Sequence, residues 1–164
     1  MKTLKRIFAF IFKLFILFLK ILSVSALTAL IASLFSTQRV IGSLSEIGGA
    51  VQFDDRLSMT VYDAFYFGRI YWGFITLAFI AAFIAAWALH KGVKFGRPII
   101  FAGAGAVAIL VMLLAMEQVF FGVPIVAGAR DGVGLLLQML AGGIGGFLFT
   151  KLTTLKTQAD TRAQ

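Results

Sequence analysis

The sequence has no cysteine, one histidine, two prolines and only seven acidic residues. The missing thiols exclude disulfides, thiolate metal sites, iron–sulfur clusters and cysteine nucleophiles together. With His90 alone, the chain cannot build a bis-histidine haem or a multi-histidine zinc site. No convergent acid–base set and no catalytic or nucleotide motif is present, so neither an enzyme activity nor a cofactor is expected. Charged residues of any kind make up 13% of the chain against 60% hydrophobic residues. That much apolar surface does not fit inside the water-soluble core of a 164-residue protein, so lipid must solvate part of it.

What is present is a set of long apolar runs, at about 17–36, 70–89, 99–121 and 132–150. Each is near the ~20 residues that a helix needs to cross ~30 Å of hydrocarbon. The expected fold is an all-α integral membrane protein, a single membrane domain over 1–164. It comprises four transmembrane helices in a bundle, a basic, amphipathic N-terminal helical extension and a 33-residue outer loop at 37–69. The net charge of +8 is distributed between the apolar runs, not over one solvated face, which argues against a nucleic-acid partner.

Eleven of the fifteen basic residues lie in the N-terminal segment, the 90–98 connection and the tail at 151–164. Arg39, Arg56, Arg69 and Arg130 occupy the other side. Because Lys and Arg flanking the spans are retained on the cytoplasmic face, both termini are expected there, most simply in a bacterial inner membrane. Tyr62, Tyr66, Tyr71 and Trp72 at one end of the second span and Trp87 at the other suit the two interfaces. Pro98 suits the first turn of the third helix.

An unbroken helix over the first 36 residues would be ~54 Å long, too long for the hydrocarbon layer alone. Arg6, Lys13 and Lys20 recur every seven residues on one face, with phenylalanines and leucines elsewhere. Residues 1–16 are therefore expected at the cytoplasmic headgroups or as a tilted extension of the first span, with Lys20 snorkelling. Ser23-Val24-Ser25-Ala26 offers the competing reading of a cleaved signal, against which stand the length of the apolar region and the lysines that interrupt it. In the 37–69 loop, Gly48-Gly49 and Asp54-Asp55 are turn signals, and 57–67 has roughly helical spacing.

Helices in lipid meet through small residues. Such stripes run along Ser25, Ala29 and Ser33; Ala78, Ala81, Ala85 and Ala88; Gly103 and Ala106; and Gly134, Ala141, Gly142, Gly145 and Gly146. Within the spans, Glu117 and Gln138 are the polar residues that draw attention. Counted from the ends of the apolar runs, both lie about 6 to 9 Å below the outer boundary. They are expected to approach each other across the third and fourth helices, with Arg69 or Arg130 at the rim. Such a cluster is either a proton or cation site with Glu117 as its titrating group, or a polar contact that fixes helix register. Asp131 is placed to cap the fourth span, and the apolar connection 122–127 to shield the Glu117 region. His90 reads as an interfacial residue, and Asp54-Asp55-Arg56 as a solvated turn lacking calcium-loop spacing.

The function expected is therefore association: an accessory subunit of a larger complex or a self-associating bundle, whose partners are the lipid bilayer and a second copy or an unlike membrane protein. The alternative is a small transporter or channel that uses Glu117.

Overall fold

The computed structural model describes residues 2–46, 48–49, 52–93 and 95–162, with side chains over 4–46, 48–49, 52–93 and 95–154. It is 89% helix; among the described residues there are no strands, and four helices are long and apolar enough to cross a membrane.

Helix α1 runs from Lys2 to Glu46 without interruption. Neither proline lies in it, and no glycine precedes Gly42. The helix thus continues ten residues beyond the apolar run that ended at 36, through Gln38, Arg39 and Ser43. It stops at Gly48, whose φ of +86° is left-handed. The Gly48 and Gly49 amides donate back to the carbonyls of Ser45 and Leu44 at 3.2 and 3.0 Å, a Schellman closure. Helix α2, Phe53–Phe65, carries Asp54 and Asp55 in its first turn, where they complement the helix dipole. Much of the expected 37–69 loop is thus helical, because the polar residues there interrupt hydropathy without interrupting the backbone pattern.

After Tyr66, α3 spans Phe67–Gly92 and α4 spans Arg97–Val119, with proline in the first turn of α4. Helix α4 ends two residues short of the apolar run: Phe121 and Gly122 have φ of 59° and 79°, and the Gly122 amide closes on Glu117 O at 2.8 Å. A short 3-10 turn at Ala127–Ala129 precedes α5, Gly132–Arg162, which extends beyond the expected span end at 150. Asp131 caps α5 through Oδ1, which accepts from the Gly134 amide at 3.0 Å.

Helices α1 and α4 each pack against both α3 and α5. Tyr71, Ile75 and Phe79 are buried from α3. Phe83 stacks on Phe149 at 4.4 Å between ring centroids and lies 5.5 Å from Phe101, joining α3, α4 and α5 in an aromatic cluster. The core is apolar, but unlike that of a soluble protein it is wrapped in an equally apolar surface. Ser25 and Gln138 are fully buried, whereas Leu77, Ile84 and Leu136 are 65–69% exposed, as expected of helices whose outer surfaces meet lipid. One end of the packed helices carries Lys20, Arg97 and Lys151 and the other Arg39, Glu117 and Asp131. These are called the basic and acidic ends below.

Candidate functional site

Along its inward face α1 presents Ser25, Thr28, Ser33, Ser36 and Thr37, all 7% exposed or less. At about 100° per residue these five positions fall within about half of the helix circumference. Most reach a partner on another helix or loop. Ser25 and Thr76 share a hydroxyl–hydroxyl bond of 2.7 Å, and the Trp72 indole N–H donates to Ser25 Oγ at 2.9 Å. Ser36 Oγ accepts from the Gly128 amide at 3.1 Å. A Cβ on Gly128 would collide with Ser36, so only glycine permits this approach. The Thr37 hydroxyl donates to Asp63 at 2.8 Å. Ser33 Oγ is buried without a hydrogen-bond partner among the described residues, as is His90 Nδ1.

Gln138 lies at the centre of this seam. Its Oε1 accepts from the Tyr71 hydroxyl at 3.0 Å, and its Nε2 donates to the Ala32 carbonyl at 2.9 Å. The amide orientation is determined by its partners: turned over, its oxygen would face a carbonyl oxygen, which has no hydrogen to offer. One side chain thereby ties α5 to α1 and α3.

The expected approach of Glu117 to Gln138 does not occur. Glycines set the register of the antiparallel α4–α5 pair: Gly105 meets Gly142, and Phe101 meets Gly146. That register puts Ile109 opposite Gln138, eight residues from Glu117 on α4, separating the two polar residues by about 12 Å along the helix axis. Depths counted from apolar-run ends carry no information on the register of α4 against α5, and they also overran α4 by two residues, because Phe120 and Phe121 continue the hydropathy without the helix. Glu117 instead lines a cavity of about 230 Å³ at the acidic end, with Arg130, Asp131, Pro124, Ile125 and Val126. The 122–127 connection thus does cover part of the Glu117 region. Arg69 is exposed in the first turn of α3 and is not among the residues lining that cavity.

Beside this cavity, Arg39 and Asp131 form an ion pair linking α1 to the start of α5, with Arg39 Nε 3.0 Å from Asp131 Oδ2. The hydrogen bond from Arg39, followed by that from the Gly134 amide, holds the Asp131 carboxyl below its ordinary range. Tyr71, Thr37, Asp63 and Arg39 were not singled out from the sequence as members of a polar contact set. The Ser/Thr periodicity of α1 is the available signal, and by residue size alone it is indistinguishable from a stripe of small residues. Among the described residues, no three His, Cys, Asp or Glu side chains lie together as a metal site.

The small residues fall into two groups. Gly142 and Gly146 lie against the backbone of Gly105 and Phe101, and Gly145 lies against Thr28 and Phe79, where an added Cβ would come within 2.9 Å of the ring. Ala106 is the nearby side chain across from Gly143. Gly103, expected at a packing position, has open space where a Cβ would be. It faces an open cleft of about 1030 Å³ between α3 and α4. Ala78, Ala81 and Ala85 line one wall, and Gly103, Val107 and Val111 the other. The cleft runs about 23 Å along α3, from Leu89 at the basic end to Phe74, and about 31 Å along α4, from Ile99 to Phe120 at the acidic end, so it crosses most of the thickness of the hydrocarbon layer.

No protein family, curated protein or solved structure matches this chain.

Proposed function

We infer that the chain is a four-helix transmembrane bundle without catalytic activity that works by helix association, as an accessory subunit or as a self-associating bundle. The observation that carries this reading is the α3–α4 cleft. It is apolar, crosses most of the hydrocarbon layer, and is lined by the small residues that let helix backbones approach. The occupant is a transmembrane helix, contributed by a second copy or by an unlike subunit. The hydrogen bonds of the polar seam join parts of this chain and leave its association to shape complementarity. The charge bias supports a basic end in the cytoplasm with both termini, and a bacterial inner membrane as the setting.

Native mass spectrometry of the full chain in nanodiscs tests the reading. The wild type is expected to travel as a discrete homo-oligomer or with one stoichiometric partner, and Gly103→Leu with Ala81→Leu to travel alone while remaining folded. A wild type that is monomeric and without a protein partner would refute association.

The alternative, a small transporter or channel, draws on one observation: Glu117 lines the cavity at the acidic end with Arg130 and Asp131. Glu117→Gln discriminates. On the association reading the complex persists unchanged. Loss of proton or cation flux in proteoliposomes, with the complex intact, would favour transport.

A further inference from the structure

The first part of α1 stands apart from the packed helices. Side chains from Leu4 to Leu19 are exposed, apart from a half-buried Ile16, and the buried part of the helix begins with Ile21 and Val24. Between the two parts, Lys20 Nζ donates to the Leu152 carbonyl at 2.7 Å and pins α1 to α5 at the basic end. The arm beyond Lys20 is about 24 Å long. Phe8 is 73% exposed and Phe10 67%, so this segment cannot stand in water without a cover.

Its pattern identifies the cover. At 3.6 residues per turn, Lys5, Arg6, Lys13 and Lys20 fall within an arc of about 100°, and Phe8, Ile11, Phe15 and Phe18 lie diametrically opposite. No acidic residue occurs before Glu46. A second helix would cover only a narrow seam of such an arm. Here apolar side chains occupy nearly all of the circumference outside the basic arc, which suits immersion at a bilayer surface and not pairing with one neighbour. The arm is also continuous with a helix that carries a membrane-spanning stretch.

We propose that residues 4–19 form an interfacial helix that seats on anionic phospholipid at the basic end, with its lysine and arginine stripe on the lipid phosphates and its phenylalanine face among the acyl chains. With no proline or glycine before Gly42, the arm stays helical and continuous with the span when seated, so it meets the headgroups as a tilted extension, and side-chain packing begins just past Lys20. Surface potential supplies part of the attraction, and apolar burial the rest. The proposal rests on the membrane-spanning reading but not on a helix occupying the α3–α4 cleft.

The lack of native cysteine permits a direct test on the full chain. Spin labels at Ile11→Cys, on the apolar face, and at Ala9→Cys, inside the basic arc, are compared in vesicles of phosphatidylglycerol with phosphatidylethanolamine and in vesicles of phosphatidylcholine alone. With anionic lipid, the label at 11 is expected to relax with oxygen and to be protected from a water-soluble nickel chelate, with the reverse at 9. Lys5→Gln, Arg6→Gln and Lys13→Gln together should raise nickel accessibility at 11 severalfold. Equal nickel accessibility at 9 and 11 in anionic vesicles would overturn the proposal, because the arm would then be in water. Dipolar broadening between copies would overturn it in favour of a protein contact, and indifference to lipid charge and to the triple substitution would remove the anionic recognition.

Discussion

The α4–α5 and α3–α4 contacts are built from similar small residues and have opposite outcomes. Between α4 and α5, Gly105, Gly142 and Gly146 bring backbone onto backbone. Between α3 and α4, Ala81, Ala85 and Gly103 border a cleft that none of the described residues fills. The neighbours of the small residues differ. Phe83, Phe101 and Phe149 fill the junction of α3, α4 and α5 with rings, and of the two contacts only the α4–α5 seam has glycine facing glycine. A small-residue stripe therefore indicates only that a close approach is allowed. What the stripe faces decides whether this chain or another makes that approach.

The comparison breaks most visibly at Gly146. Leucine there would meet the Phe101 carbonyl head-on, and a loss of about 3 kcal/mol or more is expected from overpacking, read as loss of the folded species in detergent thermal unfolding. Gly103→Leu faces open space and should leave unfolding of the isolated chain within about 0.5 kcal/mol of wild type, while abolishing association. Equal destabilisation by the two substitutions would erase the distinction between the contacts.

A second, smaller effect concerns the polar seam that holds α1 and α3 to α5. Gln138→Leu strands the Tyr71 hydroxyl and removes the bond to Ala32, at an expected cost of about 1–2 kcal/mol. Combining it with Tyr71→Phe should cost less than the sum of the two single changes, because they share one hydrogen bond. Additive losses in that double-mutant cycle would mean that the bond does not couple α3 to α5.

The smallest effect lies at the acidic end. Since the Asp131 carboxyl is held below its ordinary range, its contribution is present above the unfolded pKa of about 3.9 and is lost as pH falls through the lower folded value. Hydrogen exchange in the first turn of α5 should therefore speed up only in strong acid. In Arg39→Gln the same change should begin at a higher pH, and an unchanged midpoint would show that Arg39 is not its cause.

The four long helices were legible in the sequence because hydropathy reports burial in lipid directly. Helix ends were less so. α1 passes through Gln38 and Arg39 because those side chains have partners, Thr60 and Asp131, that hydropathy does not see, whereas α4 stops amid phenylalanines that look helical by composition. The position of Glu117 relative to Gln138 depended on helix register, which Gly105, Gly142 and Gly146 set through backbone contact. In the sequence Gly105 is one glycine of a Gly/Ala-rich run, and only its backbone contact with Gly142 marks it as a register residue. Gln138 faces inward as its stripe of small neighbours implied, but Tyr71, its partner, looked like one more interfacial aromatic.

Association through α3 and α4 is tested most directly by photo-crosslinking in native membranes. A photoreactive residue is placed at Ala81 or Gly103 in the cleft, with Leu136 on the exposed face of α5 as the control. The account predicts a protein adduct of one defined mass from both cleft positions and only lipid adducts from 136. Lipid adducts alone from all three positions would contradict it.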